Sequence, residues 1–272
     1  MFSLWSKKWN PKGRHCYVTG GSTGLGLALS VLLVKAGAHV SIVARNEEKL
    51  RNALEILEAS RVDKNQIIKS YSFSLTAAES SAAALEAAYA LFLCAGASKP
   101  KFFVEMTEEE MSQGMDNGYW VQAWTALAAT KKMVNENAKG KIVFVSSTLG
   151  YMSFHALRGL ADTLASELQL YGIDVHIFFA TTMRTPGLEE EKKSKPAITS
   201  KIEGDDSPVS PESAAERILS GIQKGHVHIG GDFLTDVFRA STRGSAPYHN
   251  PSGGRCTWYN RLDRGPYLAM VG

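Results

Sequence analysis

Seven residues near the N-terminus, Gly20-Gly21-Ser22-Thr23-Gly24-Leu25-Gly26, constrain this chain more than any other stretch. They follow a short apolar run over 15–19 and precede a dense apolar run over 25–35 that stops at Gly37. The first run predicts a buried strand, the second a helix ended by glycine. Glycines at such a joint let the backbone approach a pyrophosphate closely. The helix start beyond them offers unpaired N–H groups and a partial positive charge. The turn therefore predicts an α/β chain that holds a nucleotide at the end of its first strand.

The rest of the chain agrees with that start. Apolar runs predict strands over 39–44, 67–73, 91–95, 141–147 and 174–179, and a last one beginning at His226. Between them, helical spacing covers 47–59, 77–89, 156–170 and 211–223. Thr107 with Glu110 forms a capping box that opens a long helix running to about Val134, and Ser210-Pro211 opens the helix over 211–223. Strict alternation predicts a Rossmann-type doubly wound, seven-stranded parallel sheet with helices on both faces, in a single domain over 1–240. The Gly/Arg/Ser/Pro-rich stretch 241–272 is expected to be a loosely ordered tail.

Composition narrows the function. With 44% hydrophobic residues among 272, a sizeable core is available. Thirty basic side chains against 27 acidic ones give a net charge of +3, too balanced for a nucleic-acid partner. Cys16 and Cys94 fall in apolar runs, with Cys256 left over, so reduced thiols and a reducing compartment are expected. No run of 18 apolar residues is present and 1–14 lacks a signal-peptide core, so no spanning helix is expected here. No metal site is expected.

The end of the second strand bears on the cofactor. An NAD site places an acid there for the ribose 2′-hydroxyl. This chain instead has Ala44-Arg45-Asn46, with Lys49 one turn on. Arg45 suits a 2′-phosphate and the adenine face, and Lys49 adds charge, which favours NADPH.

Thr19, Gly20, Gly24 and Gly26 follow the pattern TGxxxGxG, which resembles the short-chain dehydrogenase/reductase family. The resemblance implies that Gly20, Ser22, Thr23, Gly24, Leu25 and Gly26 hold the cofactor. It also places Ala95 and Gly96 beside it, Thr185 near the nicotinamide, and Ser74 and Leu75 near the adenine. The family's Asp after strand three is Ser in this chain, at Ser74. Ketone reduction in the family uses a Ser that binds the carbonyl oxygen, an Asn that organises a water relay, and a Tyr-x-x-x-Lys pair. Ser147 and Asn117 match the first two.

The Tyr-x-x-x-Lys pair is absent from this sequence. Tyr151 and His155 copy its spacing with His for Lys, but Tyr151 lies only four residues past Ser147, too near to reach the same point. Two readings stay open. In one, a deletion leaves a nucleotide-binding protein without its catalytic pair. In the other, the functional protein carries about ten further residues between Phe154 and His155. A second abrupt junction, Ala88-Tyr89-Ala90-Leu91, runs from helix to strand with almost no loop and favours the second reading.

Several phrases, among them FLCAGASKPKFFVEM, HALRGLADTLASEL and KIEGDDSPVSPESAAERI, resemble 3-ketodihydrosphingosine reductases, most like the fungal ones. That resemblance implies a long-chain keto sphingoid substrate, NADPH, a place on the cytosolic face of the endoplasmic reticulum membrane, and a homo-oligomer. The alternatives are another lipid or steroid ketone reductase, or an inactive nucleotide-binding protein. The aromatics of 151–154 and the stretch from Leu188 flank the expected substrate side, and 233–238 suits either a bilayer surface or ordinary packing. Replacing Arg45 with Asp should weaken NADPH far more than NADH, by about 10- to 150-fold, the worth of one charge-assisted contact of roughly 1.5–3 kcal/mol. Fluorescence titration of both nucleotides checks this; equal loss would make Arg45 structural.

Overall fold

A computed structural model describes residues 9–83, 89–148, 156–196 and 208–241. Seven strands form one parallel sheet: β1 (His15–Thr19), β2 (His39–Ala44), β3 (Ile68–Ser72), β4 (Ala90–Leu93), β5 (Lys141–Ser147), β6 (Asp174–Ala180) and β7 (His228–Gly230). Their order is β3-β2-β1-β4-β5-β6-β7. The order reverses between β1 and β4, where an open α/β sheet leaves a crevice at its carboxyl edge. Among the described residues the α-helices are α1 (Gly24–Lys35), α2 (Glu47–Ala59), α3 (Ala78–Ala83), α4 (Glu108–Met115), α5 (Val121–Asn135), α6 (Ala156–Glu167), α7 (Pro186–Lys192), α8 (Pro211–Gln223) and α9 (Phe233–Ser241).

Side chains that alternate along each strand build two cores. Cys16, Val18, Phe92, Val143 and Phe178 pack under α1, α2 and α8. Tyr17, Leu91, Leu93, Ile142, Phe144, Ile177 and Phe179 pack under α5 and α6. Both faces are covered, so β4, β5 and β6 are nearly continuous apolar runs. Each fully buried Phe stabilises the fold by roughly 1.5–3 kcal/mol.

Some boundaries differ from the sequence expectations. β4 stops at Leu93, so Cys94 lies just past the strand rather than within it. The long helix after Thr107 is broken: the capping box opens α4 as expected, but a π-turn over Asp116–Trp120 separates α4 from α5. Gly114 and Gly118 weaken the helix there, and the extra residue of a π-turn leaves no mark in apolar periodicity. The helix from Ala156 tightens into a 3-10 turn over Leu168–Tyr171 and ends at Gly172 with φ 67°. α3 is described only to Ala83, so its expected extent to Tyr89 runs outside the described residues, as does the tail from 242. Cys16 and Cys94 are both free, and burial pushes each thiol up to about 12.

One buried histidine ties stability to pH. On β6, His176 Nδ1 donates to the His226 carbonyl at 2.7 Å, which leaves Nε2 deprotonated, buried and without a partner among the described residues. Protonation would strand an N–H in the core, and burial holds the imidazole at about 4 instead of 6.5. A folded value below the unfolded one means the unfolded chain takes up the proton first. Stability should therefore fall as pH drops from about 6.5 to about 4, by about 3 kcal/mol in total for this group. Urea unfolding across that range should show the loss, and His176→Asn, which keeps a donor for the carbonyl, should remove this part of it.

Candidate cofactor-binding site

The joint between β1 and α1 is very close. Gly20 has φ +65°, and a Cβ there would lie 2.9 Å from the Ala95 backbone. At Gly26 a Cβ would lie 2.3 Å from the Gly20 carbonyl oxygen, so the first turn of α1 sits directly on the turn before it. Two hydrogen bonds fix the joint: Gly20 N–H donates to Val43 O at 2.8 Å, and the buried Thr19 hydroxyl accepts from Ala95 N at 3.1 Å. Thr19 thus ties the end of β1 to the end of β4 across 76 residues.

The start of α1 is also electrostatically open. Thr23 is its N-cap but makes no side-chain cap bond, and no acid stands in the first turn. By contrast Asn46 caps α2, Thr107 caps α4, Thr185 caps α7 and Ser210 caps α8, each through its side chain. Donors that other helices satisfy internally remain available here for an anion.

A cleft of about 390 Å³ opens at this joint, at the carboxyl edge of the sheet. Gly20, Ser22, Thr23, Gly24, Leu25 and Gly26 line its floor; Arg45 and Lys49 stand at the end of β2; Leu75, Ala95, Gly96, Asn117 and Thr185 line the rest. Ser74 does not line it. Its hydroxyl pairs with Thr76 Oγ1 at 3.1 Å, and Thr76 takes the place at the wall. The residue type at Ser74 does not encode which way the loop after β3 turns; its bonds to Thr76 and Ser80 do.

The basic end of the cleft fits a phosphate. Arg45 is exposed and its guanidinium makes no hydrogen bond or ion pair among the described residues. Asn46 is occupied as a cap by Lys49 N at 2.8 Å, so the charge at this corner comes from Arg45 and Lys49. Lys49 also acts across the cleft: Glu190 on α7 is held below the usual carboxylate range, first by its hydrogen bond to Lys193, with Lys49 adding to it. A nicotinamide dinucleotide phosphate therefore fits the residues present, with the glycine turn and uncapped helix facing its pyrophosphate and Arg45 and Lys49 its 2′-phosphate.

The far end carries the remaining groups. Asn117 lies on the π-turn; its carbonyl accepts from Ala97 N at 3.2 Å and its side-chain amide donates to Gln113 O at 2.9 Å. Ser147 ends β5, two residues past Val145, which lines the cleft. Gln122, absent from the sequence expectations, anchors α5 to β5: its amide donates to Val145 O at 2.8 Å and accepts from Val145 N at 3.2 Å. Its burial leaves no mark in the sequence, where it is one polar residue in a helix. The α6 helix contains neither Tyr nor Lys. Tyr151, Phe154 and His155 lie outside the described residues, as does the junction before Tyr89.

Gly26→Ala should weaken dinucleotide binding at least about tenfold and lower the melting temperature, because its methyl meets backbone. Gly159→Ala is the matched control. A Cβ there meets nothing within 4 Å on the exposed side of α6, so it should stabilise the fold by about 0.5–1 kcal/mol. Nucleotide titration and thermal melts of both variants check the contrast.

Comparisons with known proteins bear on this geometry. The chain is similar to a 3-ketodihydrosphingosine reductase of Cryptococcus neoformans, 42% identical over 261 residues, covering 89% of this chain and 78% of the relative. It is 30% identical over 255 residues to the enzyme of that name from Mus musculus, covering 86% and 76%. Among solved structures, a short-chain dehydrogenase from Sphingobium yanoikuyae in complex with NADPH superposes with a TM-score of 0.70 at 18% identity, covering 84% of this chain and 93% of that one. Another, from Burkholderia phymatum in complex with NAD, gives a TM-score of 0.73 at 15% identity, covering 85% and 93%. The two share one fold and differ in cofactor, so the fold alone does not choose between them. The family model described as short chain dehydrogenase matches residues 14–196, and the chain belongs to that family.

Proposed function

We propose that this chain uses NADPH to reduce the 3-keto group of 3-ketodihydrosphingosine to the alcohol of dihydrosphingosine, a step of sphingolipid synthesis. The observation that carries the reading is 42% identity across 89% of the chain to a reductase of that name. The cleft supports the cofactor, since Arg45 and Lys49 stand where an NAD site needs an acid. When bound, NADPH supplies the hydride. The chain's own residues orient it: the glycine turn and the start of α1 hold the pyrophosphate, and Thr185 and Gly96 border the other end. Ser147, by the family pattern, binds the ketone oxygen.

The proton donor is the open part of the site. The alignment to the Cryptococcus protein spans 261 positions but takes in 89% of 272 residues, about 242, so roughly 19 positions of the relative lack a counterpart here. That surplus matches two absent loops of about ten residues, the size inferred at the Phe154–His155 junction. The reading is therefore that the working enzyme carries a Tyr-x-x-x-Lys segment there. The competing reading, a nucleotide-binding protein that has lost catalysis, rests on the sequence as it stands.

The same resemblance supports a place on the cytosolic face of the endoplasmic reticulum membrane. Among the described residues no helix is long and apolar enough to cross a membrane. A homo-oligomer is supported by the outer face of α4 and α5, where Met111, Met115 and Leu127 are exposed and Trp120 stacks on Trp124 at 4.7 Å.

Peptide mapping and turnover together test the proposal. In the protein isolated from its own cells, the peptide that spans Phe154 and His155 should carry about ten further residues with Tyr-x-x-x-Lys among them, and the protein should oxidise NADPH when 3-ketodihydrosphingosine is added. A peptide in which Phe154 is joined directly to His155, with NADPH bound but no turnover, would establish the inactive protein. Turnover of a steroid ketone but not of the sphingoid would identify a different reductase of the family.

A further inference from the structure

The described surface carries one apolar helix face that is built onto the catalytic edge of the sheet. On α9, Phe233 is 80% exposed, Leu234 52% and Val237 44%, while Thr235 between them is fully buried. The buried side is latched. Thr148, next after Ser147, donates to the β6 carbonyl of Ala180 at 3.1 Å, and its hydroxyl lies 2.8 Å from that of Thr235. Asp232 Oδ1 accepts from Thr235 N at 2.7 Å and fixes the first turn. The loop entering α9 is equally tight, since a Cβ on Gly231 would lie 2.7 Å from Thr181 Cγ2. The exposed face is therefore held rigidly beside the ends of β5 and β6.

We propose that Phe233, Leu234 and Val237 seat on an anionic lipid surface and so hold the end of β5 against the bilayer from which the long-chain ketone is drawn. The inference rests on the sphingoid substrate proposed above. Such a ketone is an apolar chain with a small polar head, so it resides in a bilayer and must leave through its surface. Two further observations favour lipid over protein as the occupant. Three side chains on a nine-residue helix expose far less than the ~800 Å² per partner that a stable dimer buries. The sequence that follows α9, 242–272, carries Arg243, Arg255, Arg261 and Arg264 against Asp263 alone, with Trp258, Tyr259 and Tyr267 among them. A basic sequence with aromatic residues, following directly on a short apolar helix, suits an anionic interface.

Flotation of the full chain with phosphatidylcholine vesicles containing phosphatidylserine tests this. The wild type should float, and the triple variant F233D/L234D/V237D should bind at least about tenfold more weakly. Leu170→Asp, at a site 72% exposed in the turn that enters β6 at the opposite edge of the sheet, should float like the wild type. The triple variant should keep its turnover of the ketone in detergent and lose it for ketone embedded in vesicles. Four results would overturn the surface: no flotation of the wild type, equal flotation of the triple variant, flotation only after removal of 242–272, or a wild-type dimer that the triple variant dissociates. Detergent turnover separates the two proposals. Vesicle binding through α9 without turnover supports the surface and removes the reductase, whereas turnover without flotation does the reverse.

Discussion

The contact between Gly26 and the Gly20 carbonyl governs how the molecule works. It leaves no room for a side chain, so α1 starts directly at the end of β1. Because β1 is central in the sheet, that start lies at the point where strand order reverses. The uncapped donors of α1 then face the cleft rather than solvent-exposed turns elsewhere. Thr19 extends the same joint sideways by accepting from Ala95 N, which brings the loop after β4 to the cofactor side. Nucleotide binding is thus a consequence of how the first strand and helix are joined.

The two ends of the cleft are built differently. The basic end depends on charge, with Arg45 and Lys49 projecting from the β2–α2 joint and Glu190 approaching from α7. The reacting end depends on hydrogen bonds that lock helices to strand ends. Gln122 binds both backbone groups of Val145, and Thr148 joins β5, β6 and α9. Rigid anchoring of this kind suits a reaction in which a ketone must be held within a narrow range of geometry. The outer face of α9 shares that anchoring, so what touches it is held in register with the end of β5.

Much of the fold was legible because apolar periodicity is a local property. β1, β2, β5 and α8 occupy the spans that the sequence predicts. The misplacements have local causes of another kind. The π-turn at Asn117 adds one residue to a helix without changing its composition, and Ser74 sits in a loop whose direction is set by its bonds to Thr76 and Ser80. Gln122 was not legible in the sequence, because a polar residue in a helix gives no hint of being buried until its strand partner is known.

The sequence by itself determined the strand–helix alternation, the position of the glycine turn, the basic replacement of an acid after β2, and the absence of a Tyr-x-x-x-Lys pair. Each is a matter of residue type at short spacing, and short spacing is what backbone propensity and side-chain period encode. Only the tertiary structure decided that β4 lies beside β1, that Thr19 meets Ala95, that Thr148 meets Thr235, and that α9 turns Phe233 outward and Thr235 inward. These pairings join residues 76 and 87 positions apart. Nothing local specifies them; they follow from how a parallel sheet, wound in both directions from β1, brings distant strand ends to one edge.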